Sequence, residues 1–117
     1  MSNSQTTAVK ICGIATPDDY DACRAAGAAF VGMVFFPRSP RHLSMPDARA
    51  IADHAQTLQD GPARVALTVD MDDAGLDEIV ETARPQLIQL HGSETPARAR
   101  TLRHRYGVPL IRAIRVA

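Results

Sequence analysis

The chain has 117 residues, 45% of them hydrophobic, which suits one folded domain or part of one and excludes a disordered tract. Thirteen basic residues balance thirteen acidic ones, so neither nucleic acid nor a membrane surface is an expected partner. Cys12 and Cys23 form no CxxC pair and no disulfide framework, which makes a reducing cytoplasm the expected compartment.

Residues 1–7 are polar, lack the apolar core of a signal peptide and read as a flexible tail. From residue 8 the sequence alternates between two patterns. A short apolar run, "AVKICG", is the first predicted strand, and "TPDDYDACRAAG" follows as a helix. Thr16 is its expected cap, Pro17 fits its first position, Asp18 and Asp19 suit the positive end of its dipole, and Gly27 stops it. "AFVGMVFF" is a continuously apolar strand, followed by the loop "PRSPRHL". Ser44 with Asp47 three residues on predicts a second helix start, and the helical pattern runs from Ala48 to Leu58. "RVALTVD" predicts a third strand, Asp73–Ala83 a third helix, "QLIQLH" a fourth strand, "SETPARARTLRHRYG" a fourth helix and "VPLIRAIRV" a fifth strand.

The resulting βαβαβαβαβ order implies parallel strands joined by crossover helices. Two α/β architectures fit: an open doubly wound sheet, or part of a (βα)8 barrel. Gly13 stands without a GxGxxG turn, which weakens the dinucleotide-binding option.

In parallel α/β folds chemistry collects at the C-terminal ends of the strands. Cys12 lies at the end of the first strand, Arg38, Ser39 and Arg41 follow the second, Asp70 ends the third, and Gln89 and His91 end the fourth. Alternation places Lys10 and Cys12 on one face and Ile11 on the other, and pairs Gln89 with His91 against Ile88 and Leu90. Either Arg112 or Arg115 of the fifth strand is available to the inner face. A lone strand cysteine is ordinarily core filler, but a neighbouring ammonium favours the thiolate. His91 alone would be a structural, hydrogen-bonded residue, Arg41 a solvated loop charge, and Arg98, Arg100, Arg103, His104 and Arg105 a solvated helix face. Cys23 reads as packing. The four histidines show no metal-ligand spacing.

Four stretches, "VKICGI", "FVGMVFFPRSPRHLS", "LIQLHGSE" and "PLIRAIRV", occur in an order and spacing that resemble phosphoribosylanthranilate isomerase, a family of tryptophan biosynthesis. The resemblance runs from Val9 onward. It implies the (βα)8 TIM barrel, here its first (βα)4β5 portion over residues 8–117. It also implies an aldose–ketose isomerisation, the Amadori rearrangement of N-(5-phosphoribosyl)anthranilate to 1-(2-carboxyphenylamino)-1-deoxyribulose 5-phosphate. By the same resemblance no cofactor or metal takes part, the partner is the small-molecule substrate, and the complete enzyme is a monomer. Cys12 matches the family's general base, Arg41 the arginine on the anthranilate side, and Gln89 and His91 the stretch that lines the pocket.

The sequence departs from the family pattern in two ways. It carries five predicted strands of eight, so the family's acidic residue near the sixth strand and its late phosphate-binding loops are expected to lie outside these residues, and the chain alone is expected to be inactive. Five strands leave two open edges, which invites self-association. Thr68 and Asp70 stand where the family has an aromatic and an amide, which alters the expected pocket wall. The competing expectation is an inactive half-barrel that binds a small anion or a partner chain. A cysteine hydrolase is disfavoured because no histidine shares a local nucleophile motif with Cys12.

Overall fold

A computed structural model describes residues 9–112; the predicted tail and Arg115 lie outside the described residues. The elements follow in strict alternation: β1 Lys10–Cys12, α1 Pro17–Ala25, β2 Phe30–Val34, α2 Met45–Gln56, β3 Ala63–Thr68, α3 Asp73–Ala83, β4 Leu87–Leu90, α4 Pro96–Tyr106 and β5 Leu110–Arg112. All neighbouring strands pair in parallel, in the spatial order β1-β2-β3-β4-β5.

That order decides between the two α/β architectures. Right-handed crossovers between strands laid down in sequence put every helix on the same side of the sheet. A doubly wound sheet must reverse its order to cover both faces, and this one does not.

Caps start the helices where the sequence indicates. Thr16 accepts from the Asp19 N–H while the Asp19 carboxylate accepts from the Thr16 N–H, a reciprocal capping box with Pro17 at the first turn. Ser44 accepts from the Asp47 N–H, so α2 begins at Met45, three residues before the apolar periodicity becomes visible. Thr95 caps α4 through the Arg98 N–H, which leaves Ser93 and Glu94 in the preceding loop rather than in the helix.

Strand parity divides the two faces of the sheet. Val31, Met33, Ala66, Ile88 and Leu90 are buried on the helix side against Ile51, Leu76, Ile79 and Leu102. Arg64 shares that side. It is buried and satisfied by donating to the Ala83 and Arg84 carbonyls at 3.4 and 2.7 Å. Ile11 packs on the same core, as alternation predicts. Arg112 is in register with Leu90 and therefore belongs to the helix side, which leaves the inner position of β5 to Ile111.

A histidine–carboxylate contact and three arginine–carboxylate ion pairs stitch successive helices. Asp21 of α1 meets His54 of α2 at 2.7 Å, Asp53 of α2 meets Arg84 after α3 at 2.6 Å, and Asp73 and Asp77 of α3 meet Arg98 and Arg105 of α4 at 2.6 and 2.7 Å. Arg98 and Arg105 are thus interhelical ties, whereas the sequence suggests only a solvated face; their acidic partners are more than twenty residues upstream, out of reach of a local pattern. The Asp77 carboxylate accepts from Arg105 and from the Tyr106 hydroxyl, and these bonds hold its pKa at about 2 instead of 3.8. A depressed carboxyl stabilises the fold above its unfolded-state value, and that stabilisation is lost as pH falls through the folded value. Acid unfolding followed by circular dichroism is therefore expected to show a shallower loss of stability between pH 3.8 and about 2 in Asp77→Asn than in the parent chain. Parallel pH profiles for the two would refute this role.

Candidate active site

The face away from the helices carries Lys10 and Cys12 from β1, Gly32 and Val34 from β2, Val65 and Leu67 from β3, and Gln89 from β4, as the register pairs Cys12 with Gly32, Val34 with Leu67 and Leu67 with Gln89. The opening strand therefore turns its lysine and cysteine toward one shared surface. Gly32 leaves room for the thiol. A Cβ there would lie 3.1 Å from Cys12 Sγ, 3.2 Å from Cys12 Cα and 3.0 Å from Leu67 Cδ1. Both cysteines are free thiols, with Cys12 exposed at the rim and Cys23 buried in the core. Burial pushes the Cys23 thiol pKa up, which makes it a poor nucleophile or base and supports its reading as packing.

Arg41 lies against the end of β1. Its Nη1 donates to the Cys12 carbonyl at 3.0 Å, and its own N–H donates to Ser39 Oγ at 3.1 Å. The side chain passes directly over Gly13, whose φ is +83°; a Cβ on Gly13 would fall 2.3 Å from Arg41 Cδ. Gly13 is therefore required both for its left-handed backbone and for the space it leaves. Cys12, Gly13, Ile14, Asp19 and Arg41 border a cleft of about 430 Å³.

Lys10 Nζ donates to Gln89 Oε1, spanning the inner face from β1 to β4. Gln89 Nε2 lies 3.4 Å from His91 Nδ1. His91 leaves β4 at the same rim and is held there by its N–H to the Thr68 carbonyl at 2.8 Å. With Phe36, Arg38, Pro40, Leu67 and Val69 it borders a second, largely apolar cleft of about 440 Å³. The β2–α2 loop forms the ridge between the two clefts, with Arg41 on one side and Arg38 on the other.

The structure thus brings Cys12, Arg41, Gln89 and His91 to one rim of the sheet. Thr68 and Asp70 do not line the inner face as the sequence comparison suggests. Thr68 is fully buried on the helix side, in register with Leu90. Asp70 has left the strand with φ +48° and its carboxylate accepts from the Ser93 N–H at 2.8 Å. Glu94, unremarked in the sequence, completes this clasp between the β3–α3 and β4–α4 loops. Its two oxygens accept from the N–H groups of Asp70 and Gly92, each at 2.8 Å. The signal available was "HGSETP", where Thr95 rather than Ser93 caps the helix and frees Glu94 for the loop. Phe36, Leu67 and Val69 are apolar residues of predicted strands, and nothing local marks them as cleft walls.

Among the described residues no three potential metal ligands cluster, and no helix is long and apolar enough to cross a membrane.

The sequence profile of the family described as N-(5'phosphoribosyl)anthranilate (PRA) isomerase matches residues 9–117. The N-(5'-phosphoribosyl)anthranilate isomerase of Bradyrhizobium sp. (strain ORS 278) is 53% identical over 110 residues, covering 93% of this chain and 48% of that protein. The enzyme of the same name from Rhodopseudomonas palustris (strain BisB5) is 50% identical over 109 residues, covering 93% of this chain and 49% of that protein. The chain therefore spans about half the length of these relatives. Among solved structures, phosphoribosyl anthranilate isomerase of Thermotoga maritima superposes with a TM-score of 0.83 at 32% identity, over 95% of this chain and 52% of that one. A phosphoribosyl anthranilate isomerase in complex with reduced 1-(o-carboxyphenylamino)-1-deoxyribulose 5-phosphate gives 0.84 at 31% identity, over 96% and 55%. A parallel α/β sheet wound in one direction, a matching profile over nearly all of the chain and relatives at half identity agree: this chain belongs to the N-(5'-phosphoribosyl)anthranilate isomerase family.

Proposed function

We propose that residues 8–117 act as the amino-terminal portion of a (βα)8 phosphoribosylanthranilate isomerase, working with later strands that supply the general acid and the phosphate site. The observation that carries this reading is the single rim shared by Cys12, Arg41, Gln89 and His91. In this role Cys12 removes the proton from the carbon next to the Schiff base formed on ring opening, giving the enolamine that becomes the ketone. A thiolate is a competent general base for abstracting a proton from carbon. Its exposed position at the strand end leaves it accessible to a substrate carbon.

Arg41 holds the anthranilate carboxylate. One of its five guanidinium donors is committed to the Cys12 carbonyl, which ties the anion-binding group to the base and leaves a fork for a carboxylate. Gln89 and His91 line the pocket from the end of β4, at the same rim as Arg41 and Cys12. The substrate is a small molecule, and the assembled enzyme is a cytoplasmic monomer that needs no cofactor or metal.

The test is isomerisation of phosphoribosylanthranilate, followed by loss of its fluorescence, by the 117-residue chain with and without a separately expressed carboxy-terminal half from a relative. Activity that requires the second half supports the proposal. A well-folded chain that stays inactive in both settings counts against it and favours a binding module. In the active combination, Arg41→Ala is expected to lower kcat/KM by about 10- to 100-fold, the loss of one charge-assisted contact. Arg38→Ala, on the far side of the ridge, is the control; an effect confined to Arg38 would move the carboxylate to the other cleft.

A further inference from the structure

We infer that Lys10 and Gln89 are positioning residues that hold His91 as its neutral Nε2–H tautomer, so that the ring presents a hydrogen-bond donor to the cleft. A lysine ammonium has three donors and no acceptor. The Gln89 atom that meets Lys10 is therefore the amide oxygen, and the amide hydrogens face the other way. They face His91 Nδ1, 3.4 Å distant. A ring nitrogen that accepts a hydrogen bond carries no proton, so in the neutral imidazole the hydrogen resides on Nε2.

The lysine thus sets the histidine from the opposite side of the inner face. Without Lys10 the Gln89 amide is free to turn over, and its oxygen would then demand a proton on Nδ1. With Lys10 in place the sense of the chain runs one way, ammonium to amide oxygen, amide hydrogen to Nδ1. His91 borders the cleft formed by Phe36, Arg38 and Leu67. The group it fits there is an oxygen acceptor, such as a carboxylate or a sugar oxygen, rather than a hydroxyl or amine that needs to donate. That a substrate oxygen meets this donor rests on the isomerase reading; the tautomer itself does not.

The experiment is ring ¹⁵N NMR of the histidine-labelled chain at pH about 8, where imidazole is ordinarily neutral. His91→Gln identifies the His91 signals among those of His42, His54 and His104. The expected result is a pyridine-type Nδ1 and a pyrrole-type Nε2 for His91. Gln89→Glu keeps an acceptor for Lys10 but turns an oxygen toward His91, so it is expected to invert the pattern to Nδ1–H. Lys10→Arg is expected to preserve the parent pattern, and Lys10→Met to bring both nitrogens toward averaged shifts. A parent chain whose His91 shows Nδ1–H, or averaged shifts like those of a freely exchanging ring, overturns the inference without any variant. So does a folded Gln89→Glu chain with the parent pattern. No substrate is involved, so this result stands apart from the outcome of the isomerase assay.

Discussion

Cys12→Ser is expected to lower the turnover of the assembled isomerase by about two to four powers of ten while leaving KM and thermal stability nearly unchanged. The substitution replaces one small side chain with another at an exposed strand end, above the space left by Gly32, so the fold has little reason to respond. The chemistry changes sharply. A serine hydroxyl does not ionise near neutral pH, and no histidine lies in hydrogen-bond contact with Cys12 among the described residues to take its proton. The backbone carbonyl that receives Arg41 is retained, which is why ground-state binding should persist. The measurement is steady-state kinetics alongside a thermal melt. Turnover within a factor of a few of the parent would remove Cys12 from the role of base and leave it as rim packing.

Gly13→Ala is expected to cost about 1–2 kcal/mol of stability from backbone strain alone, because an L-residue with a side chain disfavours φ +83° by that amount. A second effect follows from space. The new methyl carbon would sit 2.3 Å from Arg41 Cδ, so the arginine must swing away and give up its bond to the Cys12 carbonyl. Catalytic efficiency should then fall about as far as in Arg41→Ala. The double substitution separates the two effects. If Gly13 acts on activity through Arg41, Gly13→Ala added to Arg41→Ala should lower kcat/KM little further, a marked failure of additivity. Losses that simply multiply would show that Gly13 and Arg41 act independently. Gly13→Asn relieves part of the strain, since asparagine tolerates left-handed backbone, yet still displaces Arg41. It should therefore recover stability more than activity.

The sequence by itself determined the local elements and their order. Thr16, Ser44 and Gly107 mark helix ends because caps satisfy backbone groups within a few residues of themselves. The two-residue alternation around Lys10, Cys12, Gln89 and Ile88 determined which side chains share a face, because strand parity needs no distant partner. Alternation alone left an open doubly wound sheet and a barrel portion both possible, because strand order depends on pairing between segments far apart in the chain; the four stretches that resemble the isomerase family already implied the barrel, and the strand order agrees.

The tertiary structure alone decided how the polar residues partner one another. Lys10 donates its ammonium to Gln89, 79 residues away in sequence and across the sheet, a partner that strand parity does not name. Thr68 and Asp70 share strand parity with buried and rim positions that only the end of β3 distinguishes, and the left-handed turn at Asp70 sends its carboxylate to the neighbouring loop. Arg98 and Arg105 find Asp73 and Asp77 on the preceding helix. In each case the deciding interaction is a hydrogen bond or ion pair that acts over about 3 Å in space between residues remote in sequence. Such contacts leave no periodic trace in the sequence, whereas caps and strand parity do.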